Sequence, residues 1–194
     1  MNVTRDEAAQ ALEEIGRAGG KVRQLSLYAD LAPMFMLWGL IWLTANLVTE
    51  FRPDLSNRAW MIGSLIIGTP LTLYLVVRHA RRAGARIRQA GGDPKAMGGR
   101  FALLGAITWA FAASIMAVTF PLNGRQIDAF MSLLFAFGYA IGGVFGGWRL
   151  IAIGGTAAAA ILFGYFRLEE HFYLWMGLVG GGALFAGGLW LRKA

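Results

Sequence analysis

The chain has 194 residues, 57% hydrophobic and only 15% charged, with a mean hydropathy of +0.53 and a formal charge of +7. Soluble domains carry about 45–50% apolar and 25% charged residues, so the balance points to lipid as the solvent. The absence of cysteine excludes disulfides, thiol chemistry and Cys-ligated metal centres.

Residues 1–27 are polar and include Asp6, Glu7, Glu13 and Glu14, so no cleavable signal peptide is expected. Thr4 and Glu7 have the spacing of a capping box at a helix start. Ala8, Leu12, Ile15, Gly19, Val22 and Ala29 then recur at helical steps and form a narrow apolar stripe. Residues 1–29 therefore read as a separate cytoplasmic amphipathic segment, weakened or kinked at Gly19-Gly20. It would lie on the inner leaflet, cover the end of a bundle, or pair with another chain.

Six apolar stretches follow, near 31–50, 59–78, 101–120, 129–147, 150–166 and 172–191. Each approaches the roughly 20 helical residues that a bilayer crossing needs. They are continuously apolar, not alternating, and their charges stay within about a turn of the ends, which favours helices over a barrel. The fold class is thus all-α: a polytopic membrane protein with six transmembrane helices in residues 30–194 and a basic cytoplasmic loop over 79–100. Pro33 falls in the first turn of span one, where proline signals a helix start.

The spans read as three hairpins in tandem. Each outer turn follows an aromatic residue (Phe51, Phe120, Phe166), and each returning helix opens on an aromatic–Met pair: Trp60-Met61, Phe130-Met131 and Trp175-Met176. With the N-terminus inside, fourteen of the Lys and Arg residues fall on the cytoplasmic side and four (Arg52, Arg58, Arg125, Arg167) on the other. That bias places both termini in the cytoplasm.

The densest basic run is Arg78, Arg81, Arg82, Arg86 and Arg88 at the end of span two, suited to anionic lipid head groups. It lacks interleaved aromatics or a recognised binding motif, so no nucleic-acid partner is expected. Gly68-Thr69-Pro70 in mid-span two predicts a kink, with Gly68 and Pro70 as a hinge or a packing adjustment. Gly138, Gly142 and Gly146 repeat at four-residue steps on span four, and Gly177/Gly181 do so on span six. Such faces let helix backbones approach closely, within the bundle or in a homo-oligomer or membrane-protein partner.

The outer turns collect Glu50, Asp54, Asp128, Glu169, Glu170 and His171, but Arg52, Arg58, Arg125 and Arg167 share them, so solvated loops are expected and no metal site. His79 and His171 fall on opposite sides and cannot share a ligand. No span holds a serine with a base placed to activate it, and no phosphate loop stands in context. No enzyme and no cofactor is expected. Ion-coupled transport usually needs an ionisable group at mid-membrane. Here the cores offer hydroxyls and Asn46, with Asn46, Thr69 and Thr108 the residues that would line a path for a small neutral or cationic solute. A bond to a neighbouring helix is the expectation for Asn46.

The size, the six spans and the stretch Thr119-Phe120-Pro121-Leu122-Asn123-Gly124 before a returning Gly-rich helix resemble the small HdeD-type membrane proteins linked to acid resistance. The resemblance covers mainly residues 100–190, and the N-terminal segment with its long basic loop departs from it. It implies a bacterial inner-membrane stress protein and carries over no catalytic residue. The expectation is a non-enzymatic accessory or stress-related membrane protein acting through helix packing and lipid or partner contact. The alternative is a passive channel or facilitator.

Overall fold

The computed structural model describes residues 5–89 and 94–193; side chains are described from residue 10 onward, apart from 23, 82, 83, 85–98, 100 and 101. Among these residues the fold is all-α, and six helices are long and apolar enough to cross a membrane. We number them α1 (Arg5–Phe51), α2 (residues 56–89), α3 (Pro94–Thr119), α4 (Gly124–Gly146), α5 (Trp148–Arg167) and α6 (residues 172–192). The protein is a polytopic helical membrane protein. Its capping-box start at Thr4, and the side chains of Arg82, Arg86 and Arg88, lie outside what is described.

Two boundaries differ from the sequence expectation. The amphipathic segment is not set apart: α1 is one unbroken helix of 47 residues, about 70 Å at 1.5 Å per residue. A bilayer core takes roughly 30 Å of that. Pro33 accordingly sits inside α1, not at its start. Glycines 16, 19 and 20 meet nothing within 4 Å, so no neighbour disturbs the helix there, and glycine's cost is one of propensity alone. Likewise the basic loop is mostly helical, since α2 runs on to Gln89 and α3 begins at Pro94.

The helices α2 and α6 each contain a π-helical stretch, Met61–Gly68 and Met176–Gly181. In α2 it ends one residue before Thr69-Pro70. Pro70 has no N–H to donate; the widened turn takes up the mismatch, and the Thr69 hydroxyl donates to the Ser64 carbonyl at 2.8 Å.

The most extensive packing does not follow the hairpin order. It joins α1 to α6, the first span to the last, and α4 to α5. The turn between α4 and α5 is the single residue Gly147, whose φ of +113° suits only glycine. Two buried clusters result. One joins Tyr28, Ala32 and Phe35 of α1 to Leu150 and Ile153 of α5 and Leu184 and Leu191 of α6. The other joins Ile41 and Trp42 to Ala129, Ala136, Ile161, Phe172 and Met176. By contrast, only 6% of the apolar window in each of α2 and α3 is buried. Leu103, Ile107, Phe111 and Val118 of α3 all face outward, where lipid would meet them.

Candidate functional site

The glycines are used at closest range between α1 and α6. A methyl group built on Gly39 would come within 2.6 Å of the Phe185 nitrogen and 2.8 Å of the Gly181 carbonyl oxygen; one on Gly181 would meet the Leu43 nitrogen at 2.6 Å. Gly188 meets the Ala32 carbonyl at 2.8 Å, and Gly177 meets that of Leu43 at 3.2 Å. Backbone therefore faces backbone along the whole seam. The α4–α5 contact works in the same way through Gly143, whose methyl would stand 2.6 Å from the Ile151 nitrogen, and Gly154, 2.5 Å from the Ala136 carbonyl. Gly146 sits against Leu27 and Leu150.

Gly138 and Gly142 are placed differently: nothing lies within 4 Å of either, and both are exposed. They share an open face of α4 with Phe137, Ile141 and Phe145. Four-residue spacing alone could not say which of two neighbouring glycine rows, 138/142/146 or 143/147, would point inward. Gly39 and Gly188, lone glycines in otherwise bulky stretches, show no motif at all.

The three residues of the supposed solute path do not converge. Asn46 is fully buried and donates to its own helix, Nδ2 to the Trp42 carbonyl at 3.1 Å, so the bond to a neighbouring helix is not made. Its Oδ1 is left without a partner among the described residues. Thr69 and Thr108 are exposed on the outer surfaces of α2 and α3. Thr108 donates back to the Leu104 carbonyl, as Thr44, Ser114 and Thr156 do to theirs, which is how isolated hydroxyls are satisfied inside lipid. Other hydroxyls do join two helices: Thr72 Oγ1 accepts from Trp38 Nε1 at 2.9 Å and Thr49 Oγ1 lies 2.8 Å from Ser56 Oγ, both tying α1 to α2. The interior holds a cavity of about 20 Å³, walled by Trp42, Phe135, Tyr139, Ile161 and their neighbours, with Ser132 on its rim. That is room for about one water.

Polar side chains gather at the two ends of the bundle. At one end Glu50 of α1 is the hub: its Oε1 lies 3.2 Å from His171 Nδ1, and its Oε2 accepts from the Leu174 backbone N–H at 3.2 Å, closing the first turn of α6. Arg125 donates to Glu169 at 2.7 Å and stacks over Tyr165 at 5.0 Å. Arg52 is paired to Asp54, which holds the guanidinium pKa above its ordinary value. Asp54 and Glu169 are thus matched by arginines and Glu50 by His171, and no group of three or more His, Cys, Asp or Glu side chains placed to hold a metal is found among the described residues. Asp128 has its Oδ2 buried and without a hydrogen-bond partner among the described residues.

At the other end Asp30 of α1 faces His79 of α2, with Oδ2 and Nδ1 2.7 Å apart. Arg149 stacks on Tyr28 and Trp190 and donates to the Trp190 carbonyl at 3.2 Å. Asp30 and Glu50 are twenty residues apart on one helix, about 30 Å, so the two polar levels bracket the thickness of a bilayer core. His79 and His171 lie at opposite ends, each beside its own carboxylate. Sequence inspection passed over Asp30, because nothing in either segment sets the register of α1 against α2.

These features define a class, the multi-pass helical membrane protein. In comparisons with known proteins, no family model, no curated protein and no solved structure matches the chain.

Proposed function

We propose that the protein acts by contact, with lipid and with a membrane partner or a second copy, as a non-enzymatic accessory protein of the bacterial inner membrane with both termini cytoplasmic. The observation that carries this reading is the cramped interior: a cavity of about 20 Å³, walled by apolar side chains with Ser132 and Tyr139 among them, cannot pass a solute. The polar residues that would line a path are spread over a buried site and two outward faces. Binding surface, by contrast, is plentiful. Residues 10–22 of α1 are all exposed beyond the bundle, with Leu12, Ile15 and Val22 along one stripe. The open row of Gly138 and Gly142 offers a second face for a close helix neighbour.

Solute flux decides between this and the facilitator reading. Purified protein in proteoliposomes should pass small neutral and cationic solutes no faster than empty liposomes. Saturable flux would replace the contact role by conduction. The stress-related role implied by the Thr119–Gly124 resemblance has its own test: a strain lacking the protein should survive an acid challenge less well, and complementation should restore survival.

A further inference from the structure

The geometry points to a binding site for a phosphoethanolamine group in the cleft between α1 and α2 at the Asp30–His79 end. The cleft has a volume of about 170 Å³ and is lined by Ala29, Asp30 and Pro33 of α1 and by Leu75, Arg78 and His79 of α2.

Its chemistry is two-sided. Arg78 is exposed, lines the cleft and has no ion pair among the described residues, so its guanidinium is free to take a phosphate. His79 Nδ1 lies 2.7 Å from Asp30 Oδ2, so the imidazole and the carboxylate stand side by side in the cleft wall. On the acceptor side, the Asp30 carboxylate lines the cleft with its side chain 29% exposed. Pro33, lacking an N–H, cannot donate to the Ala29 carbonyl one turn back, and both residues line the cleft.

An exposed guanidinium and a partly exposed carboxylate within one cleft match a group that carries a phosphate and a primary ammonium together. The apolar flanks of the cleft, Leu75 and Pro33, lie on helices that continue into the membrane, where acyl chains would follow. The group comes either from a phosphatidylethanolamine or from the free compound. This inference rests on the lipid-contact reading above and gives it a head group.

Full-length protein in detergent, titrated with dihexanoyl-phosphatidylethanolamine, dihexanoyl-phosphatidylcholine and free phosphoethanolamine, tests it by native mass spectrometry. The ethanolamine lipid should bind about tenfold more tightly than the choline lipid, whose trimethylammonium has no N–H to donate. Asp30→Asn should erase that preference and keep the phosphate contact, whereas Arg78→Gln should weaken both lipids together. Arg78→Gln should melt as the parent does, since Arg78 is exposed; Asp30→Asn, which loses the charge beside His79, is compared by its lipid preference at a temperature well below its own melt. Binding of free phosphoethanolamine as tight as that of the lipid assigns the site to the soluble compound; its absence assigns the site to lipid. Equal binding of the two lipids, or a preference that survives Asp30→Asn, overturns the site. With silent liposomes that outcome leaves the contact reading in place. Solute flux alongside an intact preference does the reverse.

Discussion

Gly39→Ala is the sharpest test of the α1–α6 seam. The new methyl would stand 2.6 Å from the Phe185 nitrogen, 2.8 Å from the Gly181 oxygen and 2.9 Å from the Phe185 Cα, all of them backbone atoms that cannot swing aside. Ordinary contact is about 3.5–4.0 Å, so the helices must part by roughly 1 Å, which forfeits a quarter to a half of each dispersion contact along the seam. Overpacking of this kind costs about 1–3 kcal/mol. Alanine's better helix propensity offsets about 0.8–1.0 kcal/mol of that. The control is Gly138→Ala, which takes the same propensity gain and meets nothing within 4 Å. A 2 kcal/mol gap between the two variants separates their melting temperatures by roughly 4–8 °C for a chain of this size. Tryptophan fluorescence on heating in detergent reads it directly, since the chain carries 7 Trp. A Gly39→Ala protein that melts with or above Gly138→Ala refutes the backbone contact. Gly142→Leu should melt like the parent; if it also lowers the oligomer size, the open glycine row is where a second copy sits.

Two further outcomes are expected. Glu50→Ala removes both the acceptor that closes the first turn of α6 and the partner of His171; the melt should fall by the equivalent of about 1–3 kcal/mol, and Glu50→Gln, which keeps one acceptor, should recover part of it. A wild-type melt for Glu50→Ala would show that the α1–α6 link is not formed. Reporter fusions after residues 55, 90, 124 and 168 should read outside, inside, outside and outside; an inside signal at 124 would invert the proposed orientation of the second half.

Much of the architecture was legible before any coordinates. Runs of continuous apolar residues near the length of a bilayer crossing can only be helices in lipid, because every backbone N–H and C=O must be paired within the segment. The same argument placed the polar residues at the ends and separated the two histidines. Less was legible about breaks. Pro33 and Gly19-Gly20 look like boundaries by local propensity, yet α1 runs through all three. Propensity is worth only about 1 kcal/mol at a glycine, and neighbouring turns override it.

The chemistry was less visible still. Gly138/Gly142 and Gly143/Gly147 are equally good small-residue pairs on paper. Which row turns inward depends on the rotation of α4 about its own axis, and that rotation is set by Gly147 and by the side chains of α5. Asp30 and His79 are forty-nine positions apart, and no periodicity relates them. Composition and hydrophobic length alone determined that this chain lives in a membrane as six helices. Tertiary structure alone decided which helices touch, because in lipid all apolar faces are nearly equivalent, and only close steric fit and a few polar contacts tell one pairing from another.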